Sequence, residues 1–116
     1  MGLLIPARLS LEDTESILAD KLRWILEASS PMAVIVFGSA ARGEMTEASD
    51  LDLALLYADD DSLRKGRASI LGRKPPDGWP LDLLFSTRKG YLAKAEKGGV
   101  FELIMREGRV IHGGIE

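Results

Sequence analysis

The stretch that decides the fold is residues 33–57, which read AVIVFGSAARGEMTEASDLDLALLY. It contains two apolar runs, residues 33–37 and residues 51–57. The first run is rich in β-branched side chains and ends at Gly38, which predicts a central strand buried on both faces. The second run predicts another strand. Between the two runs, the pattern predicts the first turn of a helix at residues 39–43 and a polar loop at residues 44–49.

Outside this stretch, the same patterns predict further helices and strands. Ser10 and Asp13 resemble a capping box, and apolar residues then recur at helical spacing as far as Glu27. No internal repeat or linker interrupts the chain, so we expect residues 1–116 to form a single domain that alternates helices and strands. The remaining elements are predicted as a helix capped by Ser62 and ending near Leu71, a loop at 74–80, a strand at 81–85, a helix from Ser86 or Thr87 through Lys97, a helix at 100–107 and an edge strand at 109–112.

The composition limits the kinds of protein that this chain can be. It has 116 residues, 46% hydrophobic and 28% charged, which is typical of a globular domain. We find neither a spanning segment nor a signal peptide, so we expect a cytoplasmic protein with no membrane partner. The chain has no cysteine and one histidine, so a metal ion would be held by oxygen ligands. A net charge of -3 argues against general nucleic-acid binding.

The turn that begins at Gly38 and Ser39 is a candidate phosphate site. A strand that passes directly into a helix N-terminus presents free backbone N–H groups and the positive end of the helix dipole, and both favour phosphate. Gly38 has no side chain to keep a phosphate from the backbone, and Ser39 adds a hydroxyl group. Arg42 could contact a phosphate, or it could simply be solvated at the surface.

Three aspartates are candidate metal ligands. Asp50 and Asp52 lie two residues apart, so their side chains should point to the same face of the second strand. Two neighbouring carboxylates repel each other unless a divalent cation lies between them, and Mg²⁺ prefers oxygen ligands. Asp82 would join them if its strand pairs with the strand of Asp50 and Asp52. Such an arrangement could serve two-metal phosphoryl transfer.

Other phosphate and metal motifs do not fit this stretch. Gly38 and Gly43 have the spacing of a Walker A loop, but Glu44 and Met45 occupy the positions that require Lys and Ser or Thr. Asp50 and Asp52 begin like a calcium-binding loop, but Ala54 occupies the third ligand position. We therefore exclude a P-loop and an EF-hand.

The residues Gly38-Ser39, Arg42-Gly43 and Asp50-Leu51-Asp52 together resemble the signature of the polymerase-β-like nucleotidyltransferase superfamily, and most closely its minimal branch. The resemblance implies an α/β (α+β) nucleotidyltransferase fold, in which helices pack against a small mixed sheet. It implies that Gly38 and Ser39 bind the nucleotide, and we add Arg42 to them as a candidate nucleotide-binding residue. It also implies that Asp50, Asp52 and Asp82 are catalytic and hold two Mg²⁺ ions, or alternatively Mn²⁺, with ATP as the substrate.

Stand-alone members of this branch resemble the antitoxins of two-gene modules whose toxin is a small helical HEPN-type ribonuclease. The resemblance implies that this chain binds such a toxin and transfers AMP from ATP to one of its tyrosines. Two alternatives remain open. The chain could neutralise its partner by contact without catalysis, or it could be the catalytic subunit of a two-chain nucleotidyltransferase that acts on a small molecule.

Two further features have simpler explanations. Trp79 could stack on a base near Asp82, but packing within its loop is the more common role of such a residue. The run of residues 59–61, all aspartate, is typical of a turn and helix cap. We assign no catalytic role to either feature.

Overall fold

The computed structural model describes residues 6–75 and 77–115. Within these residues, no helix has the length and apolar composition needed to cross a membrane. The elements, in chain order, are α1 (Leu11–Ala28), β1 (Ala33–Phe37), α2 (Gly38–Ala41), β2 (Leu51–Tyr57), α3 (Asp60–Leu71), β3 (Leu81–Thr87), α4 (Arg88–Ala95), α5 (Val100–Glu107) and β4 (Arg109–Gly113).

The four strands form one mixed sheet in the order β3-β2-β1-β4. β1 pairs antiparallel with both β2 and β4, whereas β2 pairs parallel with β3. All five residues of β1 are buried, and the strand lies between two neighbours. The predicted central strand, the predicted edge strand and the α+β fold class with a mixed sheet are therefore confirmed.

A hydrophobic core lies on each face of the sheet, because successive side chains of a strand point to opposite faces. α1 and α3 cover one face, and α4 and α5 cover the other. The core under α1 and α3 includes Leu18, Trp24, Ile25, Val34, Val36, Leu51, Leu53, Leu55, Tyr57 and Ile70. The core under α4 and α5 consists of Ala33, Ile35, Phe37, Ala54, Leu56, Tyr91 and Ile104.

Some predicted boundaries require correction. The N-cap of α3 is Asp59 rather than Ser62, because the Asp59 side chain accepts a hydrogen bond from the Ser62 backbone N–H at 2.8 Å. β3 continues beyond residue 85 because Ser86 and Thr87 still pair with β2. Thr87 then caps α4, which ends at Ala95 rather than at Lys97. The predicted cap of α1 is correct, since Ser10 Oγ accepts from the Asp13 N–H at 3.0 Å.

Gly66, in the middle of α3, allows this helix to approach Tyr57 closely. A Cβ atom at position 66 would lie 2.6 Å from both Cζ and Oη of Tyr57. The Tyr57 hydroxyl is itself 2.9 Å from Ser29 Oγ, just beyond the end of α1. A glycine that weakens the helical pattern in the sequence thus serves the contact between α3 and the sheet.

We expect Gly66→Ala to lower the free energy of unfolding by about 1–3 kcal/mol, because overpacking against Tyr57 outweighs a gain of about 1 kcal/mol in helix propensity. Chemical denaturation measures the change. Ser69→Ala, at an exposed position of the same helix, is the matched control and should gain about 0.5 kcal/mol. A Gly66→Ala protein more stable than wild type would contradict the close packing.

Candidate active site

Strand pairing brings Asp52 and Asp82 together. On one side, Asp52 of β2 lies opposite Phe37, the last residue of β1. On the other side, Asp52 pairs with Asp82 in the parallel register of β3. The strand of Asp82 therefore pairs with the strand of Asp52, as the prediction for Asp82 required. The two aspartates lie next to the point where β1 ends and α2 begins.

Asp52 and Asp82 lie on the face of the sheet that carries α4 and α5. Leu51 and Leu53, on either side of Asp52, belong to the core under α1 and α3, so Asp52 points to the opposite face. Asp52 is partly buried, whereas Asp50 and Asp82 are exposed. Asp52 thus has two exposed acidic neighbours, Asp50 before it in the chain and Asp82 beside it in the sheet.

The surroundings of Asp52 favour its protonated form. The pKa of the Asp52 carboxyl is raised from its ordinary value of 3.8 to about 6. Burial is the largest cause, followed by the charge of Asp82, hydrogen bonding to Asp82 and the charge of Asp50. The guanidinium of Arg42 lowers the pKa of Asp52, but less than the other groups raise it. The site therefore has negative charge that it does not neutralise fully.

Gly38 provides space for the Asp52 side chain. Its φ is +68°, which favours glycine, and a Cβ atom there would overlap Asp52 Oδ2 and lie 3.0 Å from Asp52 Cγ. The sequence suggested that Gly38 is needed so that a phosphate can approach the backbone. In the structure, the neighbour that requires a glycine is the carboxyl group of Asp52.

Ser39 and Arg42 lie on and just after α2. This helix is a single turn of four residues, and no side chain in the described part of the molecule caps it. Ser39 is half-buried near its start. Arg42 Nε donates to Glu44 Oε1 at 2.6 Å, and its Nη1 lies 3.9 Å from Glu107 Oε2 on α5. The contact with Glu107 could not be predicted from the sequence, because only the folded chain brings α5 close to α2.

The carboxylates have the donor chemistry that a hard divalent cation requires. Over residues 6–75 and 77–115, no three acidic or histidine side chains lie close enough together to enclose a metal ion. Strand pairing instead places Asp52 beside Asp82 alone, and the Asp82 charge helps to raise the pKa of Asp52. Two neighbouring carboxyl groups are stabilised when a proton or a cation lies between them. The raised pKa of Asp52 therefore fits a site where Mg²⁺ or Mn²⁺ could replace the proton.

Two other features lie away from this cluster. Trp79 packs against the core under α1 and α3, on the face of the sheet opposite to Asp82. Asp59 follows Tyr57 at the far end of β2 and caps α3. Packing for Trp79 and capping for the aspartate run are therefore confirmed.

Sequence reasoning also missed a buried charge beneath the loop that leads to Asp82. Lys21 is fully buried, and its ammonium pairs with Asp77. Leu18, Lys21 and Ile25 follow helical spacing on α1, so a lysine on the buried stripe was a signal that the sequence already contained.

One comparison with known proteins identifies a family. A family model described as a nucleotidyltransferase domain matches residues 16–103. The match extends from α1 into α5 and includes both aspartate strands and the turn between β1 and α2. In a search of curated proteins, no sequence matches the chain.

Replacement of Gly38 should disturb the carboxylates, whereas replacement of Gly43 should not. Both residues have positive φ, at +68° and +71°, but no atom lies within 4 Å of a Cβ at Gly43 among the described residues. We expect each alanine variant to lose about 1–2 kcal/mol through backbone strain. Gly38→Ala should lose a further 1–3 kcal/mol or so through collision with Asp52. Equal losses, measured by chemical denaturation, would contradict this contact.

The raised pKa of Asp52 also predicts how stability depends on pH. Because the folded state holds this proton more tightly than the unfolded state, the carboxyl makes the protein less stable as pH rises from about 4 to above 6. In chelator-treated protein at pH 8, the Asp52→Asn variant should therefore have a free energy of unfolding about 1 kcal/mol higher than the wild type. The gain is modest because solvent screens this partly exposed carboxyl. Denaturation at pH 4.5 is the internal control and should show a much smaller gain. Equal gains at both pH values would contradict the shift.

Proposed function

The chain belongs to the nucleotidyltransferase domain family, and from this membership we propose that it transfers AMP from ATP to a hydroxyl acceptor in a reaction that requires Mg²⁺. One observation carries the proposal. The strand register puts Asp82 beside Asp52, next to the turn at Gly38 and Ser39. The family typically uses a nucleoside triphosphate and a divalent metal, and an acidic cluster beside such a turn suits both.

Each candidate residue has a distinct role in this proposal. The turn at Gly38 and Ser39 holds phosphate oxygens through backbone N–H groups and the Ser39 hydroxyl. The carboxylates of Asp52 and Asp82, which strand pairing places side by side, would hold the divalent ions, and Asp50, just before β2, would complete the set of ligands when the ions bind. When bound, these ions supply positive charge that favours ionisation of the acceptor hydroxyl and departure of pyrophosphate.

The reaction replaces one bond to phosphorus with another. The acceptor oxygen forms a bond to the α-phosphorus of ATP, and the bond from that phosphorus to the oxygen of the leaving pyrophosphate breaks. Asp82 is exposed, so an incoming hydroxyl can reach its carboxylate, which helps to remove the proton. Arg42 lies near enough to lower the pKa of Asp52 and is available to contact phosphate.

For the acceptor, we propose a tyrosine of a partner protein, a HEPN-type ribonuclease whose toxicity ends when AMP is attached. The resemblance of the signature to the minimal branch supports this choice. The net charge of -3 also suits a protein partner better than a nucleic acid. The chain would then act in the cytoplasm as the antitoxin of its module.

We expect α-labelled ATP, Mg²⁺ and the protein encoded beside this chain to give a labelled partner with the wild type. Asp52→Asn and Asp82→Asn should each lower the rate at least about 100-fold, because each removes one charge from the proposed metal site. Gel autoradiography measures the label, and mass spectrometry locates the tyrosine. Asp60→Asn, at an exposed position beyond the far end of β2, is the matched control and should retain the rate.

The other outcomes separate the alternatives. A stable complex without label would replace the proposal with a binding antitoxin that does not catalyse transfer. Label on an aminoglycoside in the presence of the partner would instead indicate a two-chain small-molecule transferase. Transfer that survives both aspartate substitutions would contradict the proposed site.

A further inference from the structure

An ion pair between a buried lysine and a half-exposed aspartate connects the loop before β3 to α1. Lys21 has 0% exposure, and its ammonium pairs with the Asp77 carboxylate, whose side chain is 45% exposed. An ammonium removed from water is costly unless a partner neutralises it. The need to neutralise Lys21 therefore holds the Asp77 carboxylate at this point on α1, although the Asp77 side chain reaches solvent.

Hydrogen bonds and packing contacts hold the segment from Asp77 to the start of β3 in place. Asp77 Oδ1 accepts from the Trp79 backbone N–H at 2.9 Å, and the Trp79 side chain packs against the core under α1 and α3. The next residue, Pro80, accepts from the Leu51 N–H at 2.9 Å. β3 then begins at Leu81, one residue before Asp82. A continuous set of contacts thus connects Lys21 with the start of the strand that carries Asp82.

The apolar side chains beside this segment leave a groove that is open to solvent. Trp24, Ile70, Trp79 and Leu81 line this groove, between the two helices and the loop. β3 is an edge strand, and its residues 81 and 83–85 are all apolar. A slip of two residues along β2 would keep the same side chains of β3 on each face of the sheet but would move Asp82 away from Asp52.

We propose that Lys21 and Asp77 are positioning residues for Asp82. Their ion pair fixes residues 77–80 against α1 and thereby sets the register in which Asp82 lies beside Asp52. An ion pair with a buried ammonium suits this task, because an arrangement that leaves Lys21 without its carboxylate is penalised. The inference rests on the proposed function, since the placement of Asp82 matters to a metal and nucleotide site.

The test measures Mn²⁺ affinity by electron paramagnetic resonance, together with kcat and KM for ATP. Asp77→Asn and Lys21→Met should each weaken Mn²⁺ binding about 10-fold, because Asp82 would no longer be held in place beside Asp52 and loss of support for a metal ligand costs at least this much. The double variant should lose no more than either single variant, because both remove the same link. We expect kcat to fall and KM for ATP to change little, since the turn at Gly38 and Ser39 is untouched.

The control for general destabilisation is Leu18→Ala, which opens a cavity on the same buried stripe of α1 but leaves the ion pair intact. It should retain the wild-type Mn²⁺ affinity. If Leu18→Ala weakens Mn²⁺ binding as much as Asp77→Asn does, the positioning role is wrong. Asp77→Asn leaves a buried lysine without a partner and could therefore prevent folding. In that case Mn²⁺ affinity is measured on the double variant, Lys21→Met with Asp77→Asn, which has no buried charge at this point.

Asp82→Asn separates failure of this inference from failure of the proposed function. If Asp82→Asn weakens Mn²⁺ binding while Asp77→Asn and Lys21→Met leave it unchanged, the positioning role is overturned and the proposed function stands. If Asp82→Asn has no effect on Mn²⁺ binding, the metal site of the proposed function is overturned, and the positioning role with it.

Discussion

β2 is hydrogen-bonded antiparallel to β1 on one side and parallel to β3 on the other, and the arrangement of the site depends on this double pairing. The antiparallel pairing places Asp52 opposite Phe37, at the end of β1 where Gly38 turns the chain. The parallel pairing places Asp82 beside Asp52, although 29 residues separate them in the chain. β2 thus brings the turn at Gly38 and Ser39 and the pair of Asp52 and Asp82 to the same end of the sheet.

This arrangement makes the protein less stable than it could be. Asp52 is partly buried next to two other carboxylates, and its raised pKa reflects the free energy cost of that burial first and of the neighbouring negative charges second. Gly38 adopts a positive φ so that the Asp52 side chain has room. Local choices that conflict with stability are expected at functional sites, where a bound ligand relieves the conflict.

Much of the fold could be predicted from the residues. The apolar run of β1, the helical stripe of α1 with its Ser10 cap and the edge position of β4 were all correct, because each depends on periodicity or on local capping. The end of β3 and the cap of α3 were wrong by a few residues. The end of β3 depends on how far along the chain its pairing with β2 extends, which is as far as Thr87. The cap of α3 depends on which of several neighbouring polar side chains reaches the free N–H groups at the start of the helix.

The sequence by itself determined which residue types are available for chemistry: a Gly-Ser turn after a buried strand, two aspartates two residues apart, and no cysteine to bind a metal. Tertiary structure alone decided that Asp82 joins Asp52, that Asp52 occupies the space beside Gly38, and that Lys21 is neutralised by Asp77. The physical reason is that periodicity and capping act between residues close in the chain. Strand register, burial of charge and pairing across loops depend on the packing of elements that are distant in sequence.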